Sequence, residues 1–553
     1  MKSERRRIWK CLLCAVLLTL LTFVSGGCAA NTYTVCPDGG CNYTSIQAAI
    51  NASQPGDTIE VHSGIYYENV NVNKQLILRS VDTGIGKPIV DASGNGSAIT
   101  LAHDGIVLDG FTAINASSYP EAGILVYSNN NIVINNTALN NYYGILLWSS
   151  SNNTLTGNTA SNNPHVGIYL FHYSSNNNTL TGNTANSNND YGIFLDSSSN
   201  NNLTGNTASN NYDGIRLESS SNNTLTGNTA LNNSHGIFLI SLSTNNTLKG
   251  NTANSNYNDG IRLGSSSNNT LTDNTALNNN NGIYLRSSST KNNLTGNTVS
   301  NNGNAGIRLY DSSTHNTLTE NTASNNGNVG IRLESSSNNH IYNNYFDNWF
   351  NAEDDGNNIW NITKTAGTNI IGGSWLGGNY WSDYTGEDTD GDGLGDTLRP
   401  YNSSGGIQNG GDWLPLVQAE PSIFDTDEGR YPSISGTFTG TITPSRNLTV
   451  SRLYTYSCKG TGGHTKSITL YENATLRANG VWSGYQGDWH NVTFTEVTLL
   501  KGHEYRYVIE TGSYPQIVHA ESKDAMGGTI TCEEFVDLNG KRHEGWIPAI
   551  RLS

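Results

Sequence analysis

The chain has 553 residues, 13% of them charged and 35% hydrophobic, with 60 Gly and about 80 Asn. A charged fraction half the usual ~25% excludes a disordered polyampholyte and a helix-rich chain, because Asn and Gly are poor in helix interiors and in strands and call for many turns. A formal charge of −16 with no basic stripe argues against nucleic acid as a partner, and the length allows two to four domains at ~150 residues each.

The N-terminus sets the compartment. Met1 to Lys10 carries Lys2, Arg5, Arg6, Arg7 and Lys10, and Cys11 to Val24 is an unbroken apolar run ahead of SGGCAAN. A basic start, a ~14-residue apolar run and small residues form an export signal, short of the ~20 residues of a spanning helix. Cleavage after Ala30, lipid attachment at Cys28 and an uncleaved anchor all stay open. Residues 1–30 are therefore read as signal, and the protein as exported: cell-surface, extracellular or held to a membrane by its N-terminus. Four of the seven Cys follow that segment. Cys36 and Cys41 bracket a PDGG turn and Cys458 and Cys532 lie in the last 100 residues, so an exported context predicts two local disulfides. No His or second Cys pair stands beside Cys36 and Cys41 in the sequence, which speaks against a metal there.

A repeat dominates the middle of the chain. Gly followed by Ile recurs at Gly123, Gly144, Gly167, Gly192, Gly214, Gly236, Gly260, Gly282, Gly306 and Gly330, in steps of 21 to 25 residues, each copy reading approximately GIxLxSSSNNTLTGNTASNN. Such a period marks a solenoid. Apolar residues alternate (Ile215 and Leu217, then Leu225, then Ala230) between Ser/Asn/Gly clusters, which predicts short strands rather than helices. Three strands and three turns per repeat make one coil of a right-handed parallel β-helix over residues 31–375. Stacking coils ~4.8 Å apart places Asn158, Asn183, Asn206, Asn228, Asn251, Asn274, Asn297 and Asn321 above one another as a side-chain ladder. Asn152, Asn202, Asn222 and Asn293 fall in N-x-S/T sequons, acceptors for glycosylation in an exported protein.

Alternation also divides the G-I-x-L-x strand into an inward pair and an outward pair. The outward positions hold most of the aromatic and charged residues of the repeats, among them Tyr127, Trp148, Tyr169, Phe171, Phe194, Tyr284 and Tyr310, which form a candidate strip for stacking on sugar rings. A structural role in cross-strand stacking is the competing reading. Asp196 and Glu218 occupy the same outward position on successive coils with Arg216 beside them, a candidate carboxylate pair for glycoside chemistry. A paired-Asp strand with GHG and RIK motifs, as hydrolytic relatives of such solenoids carry, is missing.

After the repeats, residues 376–417 form an acidic end-piece. In DTDGDGLGD, Asp388, Asp390, Asp392, the Leu394 carbonyl and Asp396 follow the spacing of an EF-hand loop around Gly393, which predicts a structural Ca²⁺ site. Arg399 stands where an EF-hand has its last Glu, so Asp383, Glu387 or Asp412 would complete the shell. From about Glu420, Asn nearly disappears and SISGTFTGTIT, LTVSRLYTYS, SITLYEN, HNVTFTEVTL, YRYVIE and TITCEEFVD alternate as antiparallel strands, which predicts a C-terminal β-sandwich over 418–553. Trp482, Tyr485, Trp489, Tyr514 and Trp546 are divided between core packing and a second sugar-stacking patch.

Three stretches together carry a family resemblance. Tyr43 to Ser80, YTSIQAAINASQPGDTIEVHSGIYYENVNVNKQLILRS, resembles the entry of pectin-lyase-like right-handed β-helices, in which a short helix, here with Ile46, Ala49 and Ile50 on one face, caps the open core. The NTLTGNTASNN…GI repeats resemble the NosD-type family, also described as carbohydrate-binding and sugar-hydrolysis repeats. Gly377 to Asn402 resembles the end-piece that follows such repeats in archaeal, especially methanogen, surface proteins. The resemblance implies the fold and an exported location. Copper, the NosD association, is poorly supplied here: the chain has two Met, and Cu(I) favours Met or thiolate clusters. The expectation is a non-catalytic protein that binds an extracellular or envelope polysaccharide. A polysaccharide lyase, glycosidase or epimerase working on the outward face and a structural spacer are the alternatives.

Overall fold

The computed structural model describes residues 30–172, 174–389, 392–418, 423–430, 434–456, 458, 465–482, 491–512 and 515–553. The export signal before residue 30, Asp390, Tyr485, Trp489 and Tyr514 lie outside these residues. The chain forms two compact units, one reaching to Asn339 and including Asn348–Asn357, the other made of His340–Asp347 and Asn358–Ser553.

The first unit is a parallel β-helix. One coil consists of the strands Asp213–Glu218, Thr224–Thr226 and Thr229–Leu231. Ile215 pairs with Ile193 and Ile237, Leu225 with Leu203 and Leu248, and Ala230 with Ala208 and Ala253, all in parallel register. These side chains are fully buried, so like stacks on like through the core. The Ile stack continues from Ile124 to Ile331 through each of the ten Gly-Ile copies.

Glycine serves two different needs in each coil. A Cβ on Gly214 would lie 2.6 Å from the Gly236 carbonyl and 2.7 Å from Asn233 Nδ2, so that corner has no room for a side chain. Gly227, by contrast, faces open space but has φ +62°, a left-handed turn position. Asp273 and Glu320 take the equivalent turn at φ 54° and 57°.

Three Asn ladders run through the turns, where sequence register identified one. In the expected ladder, each residue from Asn158 to Asn297 donates both its backbone N–H and its side-chain amide to Oδ1 of the next Asn, as in Asn206 to Asn228 at 2.9 Å for both bonds. Asn228 Nδ2 donates in turn to Asn251 Oδ1 at 3.0 Å and to the Leu203 carbonyl at 2.9 Å. Both donors and both acceptor positions of the amide are thereby used. The second ladder includes Asn201, Asn223, Asn246 and Asn269, and the third Asn211, Asn233, Asn256 and Asn279. All are buried. The sequon residues Asn152, Asn202, Asn222 and Asn293 face outward and are exposed.

The N-terminal end is closed as the sequence predicts. Ile46–Ala52 is helical with Ile46, Ala49 and Ile50 buried. Glu68 accepts from Ser45 Oγ, Ile46 N and Gln47 N at the helix start, and Lys74 Nζ donates to the Ile50, Asn51 and Ser53 carbonyls at its end. Both charges complement the helix dipole.

The second unit begins earlier than the expected boundary at residue 375. Tyr345 and Phe346 pair in parallel with Tyr380 and Trp381, and buried Trp360 and Trp381 give this region its own core. Asp412 sits inside it, fully buried, accepting from Asn379 N at 2.7 Å, Trp381 Nε1 at 2.9 Å and Leu414 N at 3.0 Å. Loss of water outweighs these bonds and raises its carboxyl pKa from 3.8 to about 7.

Beyond it stand antiparallel sheets, one ordered Phe424–Asp425, Ile550–Leu552, Leu448–Thr455, Asn491–Leu499, and a larger one centred on Gly436–Pro444 and Tyr505–Thr511. Phe424, Phe438, Leu453, Ile468, Tyr507 and Phe535 fill the core, in keeping with a β-sandwich. The expected Cys458–Cys532 disulfide is corrected: both are thiols. Cys458 Sγ donates to the Pro515 carbonyl at 3.6 Å, while the Cys532 backbone is held at Glu521. Each cysteine is thus fixed on a different segment, and burial raises the Cys532 thiol. Cys36 and Cys41 do form the predicted bond, with Cα atoms 5.5 Å apart. Trp546 stacks on His543 and Phe535 and Trp482 packs against the core, which are packing roles.

Candidate functional site

The G-I-x-L-x strands pair into one long parallel sheet whose outer face carries two columns of side chains. The first column runs Tyr169, Phe194, Arg216, Phe238, Arg262, Tyr284, Arg308, Arg332, with each residue the register partner of the next. It is closely packed. Tyr169 and Phe194 stack at 4.9 Å with planes 10° apart, and beyond them Arg216, Arg262 and Arg308 alternate with rings. Their guanidinium carbons lie 5.2, 4.9 and 5.1 Å from the Phe238, Phe238 and Tyr284 centroids. Tyr169, Phe194 and Tyr284 are each 8% exposed, so their faces are taken by neighbours within the sheet. Burial, then the Asp196 carboxylate beside it, push the Tyr169 hydroxyl far above its ordinary range.

The second column is the more open one. Trp148 pairs with Phe171, Asp196 with Glu218, and Tyr310 with Glu334. Tyr127 is 59% and Tyr310 38% exposed, while Trp148 and Phe171 are half-buried and meet edge to face at 5.3 Å. Of the expected strip, Tyr127 and Tyr310 are the exposed rings, while Trp148, stacked on His172, and Phe171, against Tyr169, offer only the part of their rings that stays half-exposed. Ile240, Gly264 and Arg286 continue the column, with Gly264 covered by the Ile240, Phe238 and Arg286 side chains.

Asp196 and Glu218 are register partners, as the repeat predicts. Glu218 Oε2 accepts from Arg216 Nε at 3.3 Å and Nη2 at 2.9 Å, and Asp196 accepts from Tyr169 OH at 3.3 Å and Ser197 Oγ at 3.0 Å. Both carboxylates therefore have donors within the sheet.

Register reasoning missed a third set, at the position just before each Gly. Asp213, His235 and Asp259 are register neighbours there, all nearly inaccessible. His235 Nδ1 lies 2.9 Å from Asp213 Oδ1, and Arg262 Nη1 lies 2.8 Å from His235 Nε2. A guanidinium only donates, so Nε2 accepts and Nδ1–H is left to donate to Asp213. Arg216 Nη1 closes on Asp213 Oδ2 at 3.0 Å, and Asn281 Nδ2 donates to Asp259 Oδ1 at 2.8 Å. The only sequence signal was the unlike series Asp, His, Asp at a place read as turn. Every Arg of the first column faces a carboxylate: Arg216 with Glu218 and Asp213, Arg262 with Asp259, Arg308 with Glu334 and Arg332 with Glu353. The face is polar yet close to charge-balanced.

The acidic loop lies in the second unit. Gly393 has φ +85° at the sharp turn. Asp388 accepts from the Asp392 and Gly393 amides at 3.2 and 2.7 Å, Asp392 from Leu394 N at 2.7 Å and Asp396 from Thr389 N at 2.9 Å. Lys364 forms an ion pair with Asp392. Asp412 is not available to complete a shell, since its oxygens are bonded inside the core, and Asp383 accepts from Tyr401 OH at 2.6 Å. The hard oxygen donors and the glycine turn suit Ca²⁺.

Residues 50–258 and 241–386 match the family described as periplasmic copper-binding protein (NosD). The chain belongs to the NosD family. The match spans more than half of the 553 residues and takes in the whole repeat region of this NosD-family protein. No curated protein matches. Solved structures similar to the chain include the periplasmic alginate epimerase AlgG, 16% identical over 55% of this chain and 83% of that one, TM-score 0.40. The A-module of Azotobacter vinelandii mannuronan C-5 epimerase AlgE6 is 15% identical over 57% and 90%, TM-score 0.42. The PL6 family polysaccharide lyase Pedsa3628 from Pseudopedobacter saltans is 16% identical over 52% and 82%, TM-score 0.40.

Proposed function

We propose that the outer face of the long sheet binds an extended, hydroxyl-rich polysaccharide, and that the protein does so after export, at the cell surface or attached to a membrane through its N-terminus. The observation that carries this reading is the concentration of ring and charged side chains on one face, although single residues such as Lys249 and Tyr257 stand elsewhere. The other strands present Thr, as in Thr224–Thr226 and Thr270–Thr272. Tyr127, Trp148 and Phe171 fall on successive coils ~4.8 Å apart, on the order of one pyranose residue. Paired Arg and carboxylate groups on the later coils of the same face, from Arg216 and Glu218 on, can bond hydroxyls without a net charge to satisfy, and with −16 on the whole chain a neutral glycan suits the face better than a polyanion. Export is supported by the basic and apolar N-terminus and by the family's description as periplasmic. Among the described residues no helix is long and apolar enough to cross a membrane.

Affinity electrophoresis against a panel of neutral and acidic polysaccharides tests the reading. Retardation by at least one neutral polymer is expected; migration unchanged across the panel would refute it.

A catalytic reading has one observation in its favour, the buried Asp213–His235–Asp259 array. Against it, the lone pair that His235 would use as a base is held by Arg262. Binding is therefore preferred, and sugar-release and epimerisation assays should give no turnover that depends on His235, Asp196 or Glu218.

Calcium is the cofactor we propose, held by Asp388, Asp390, Asp392, the Leu394 carbonyl and Asp396. Bound there, it would neutralise the acidic turn and pin the end-piece. Addition of EDTA should lower the melting temperature of the second unit by several degrees, and Asp388→Ala/Asp392→Ala should remove that response. A melting curve indifferent to both rules out the site.

A further inference from the structure

The end of the β-helix capped by the Ile46–Ala52 helix carries a second candidate metal site, distinct from the acidic loop. Thr32–Val35 pairs in parallel with Thr58–His62, with Thr34 opposite Glu60 and Val35 opposite Val61. The next residues along the two strands are Cys36 and His62. The PDGG turn, with Gly39 at φ +83° and Asp38 Oδ1 accepting from Gly40 N at 3.2 Å, returns the chain so that Cys41 comes back over the same place. Cys41 Sγ stands 3.5 Å from His62 Nδ1. One ligand atom from each of Cys36, Cys41 and His62 lies within 4.8 Å of the others, the one such cluster among the described residues. The sequence expectation that no His neighbours this pair is thereby corrected: His62 is 21 residues from Cys41 but one coil away. Tyr66 OH donates to the His62 carbonyl at 2.9 Å and the Val35 carbonyl at 3.2 Å, tying the two strand ends together behind the cluster.

We propose that this cluster is a redox-gated site for one soft d¹⁰ cation, Zn²⁺ or Cu⁺. In the disulfide form the sulfurs are not thiolates and the site is closed. A dithiol or phosphine reductant supplies two electrons, and two protons are taken up as the S–S bond breaks, giving two thiols. Binding of the cation then displaces both thiol protons to solvent and forms two metal–thiolate bonds and one bond to His62 Nδ1. Thiolate and imidazole are the donors such cations prefer. A tetrahedral ion needs the sulfurs ~3.8 Å apart, from metal–sulfur bonds of ~2.3 Å. That opening is small for a glycine-bearing turn. Cys41 and His62 are only half-buried, which leaves a fourth position open to water.

The test uses the full chain with Cys11, Cys14, Cys28, Cys458 and Cys532 replaced by Ser, so that no other thiol competes. After phosphine reduction and removal of the reductant without air, Zn²⁺ and Cu⁺ are titrated in separate arms against a chromophoric chelator. One equivalent bound in at least one arm by the reduced chain, and at least a hundredfold weaker binding by the oxidised chain, is expected. His62→Gln, which keeps both sulfurs, should weaken binding at least tenfold, and Co²⁺ as a probe should show thiolate charge-transfer absorption in the reduced chain alone. Equal binding by oxidised and reduced chains, no binding in either arm, or an affinity unmoved by His62→Gln would overturn the proposal. Comparison of the oxidised and reduced forms of one chain keeps the test independent of any folding defect in the variant.

Discussion

Asn228 shows why the Asn excess is structural. Its side chain accepts two bonds and donates two, so Asn228→Ala removes the acceptor of the buried Asn206 backbone N–H, while Asn206 Nδ2 keeps the Leu180 carbonyl and the Leu203 carbonyl keeps its place in the parallel ladder. At about 1–3 kcal/mol for one buried orphaned N–H, the loss should be about 1–3 kcal/mol, read as a lower urea midpoint and as faster hydrogen exchange at Asn206. Asp412 makes the complementary case. Its carboxyl pKa is 3.8 outside the fold and about 7 within it, so the folded state holds the proton more tightly. Stability from this group is full below pH 3.8 and lost as pH rises through 7, by on the order of 4 kcal/mol. Trp fluorescence during urea unfolding should show the second unit weaker at pH 8 than at pH 5. Asp412→Asn should flatten that slope while lowering stability throughout. Neither the burial of Asp412 nor the array around His235 was legible in the sequence, because an Asp or His in a turn looks the same whether solvent or an Arg from another coil faces it.

The strands were the most legible elements, since the alternation of Ile215 and Leu217 fixes which face is buried, and one register then repeats through every coil. The ladders were partly legible: Asn158 and its equivalents recur in a constant NT context, whereas the other two ladders sit in runs of consecutive Asn where register is ambiguous. That Cys458 and Cys532 do not bond to each other was not legible, because lying in the same domain does not specify a bond. Glycine separates the two regimes within one element. Gly214→Ala should be destabilising by at least about 1–3 kcal/mol because the Cβ meets backbone of the next coil. Gly227→Asn, in open space at φ +62°, should shift the thermal midpoint by no more than a degree or two. Equal effects of the two changes would contradict this division.

At the scale of the whole molecule, repetition copies one coil's outer face along a line, so a modest set of residues becomes an extended surface. Substituting a few coils then gives that surface its character, rings near Tyr127 to Phe194 and alternating Arg and ring beyond, without disturbing the stacks beneath. Pairing Asp213, His235 and Asp259 with Arg216 and Arg262 joins three coils, and buried pairs of this kind add little net stability. The outer strip was legible as a place, since its register followed from the repeat. Which rings stay open was not, because Tyr169 and Phe194 cover each other only once the coils are stacked. The most direct measurement is the dissociation constant of the panel's tightest neutral polysaccharide for the parent chain and for Tyr127→Ala/Trp148→Ala/Phe171→Ala, with Thr224→Ala/Thr270→Ala on another face as control. At least tenfold weaker binding by the ring variant and no change in the control are predicted; equal affinity of parent and ring variant would contradict the account.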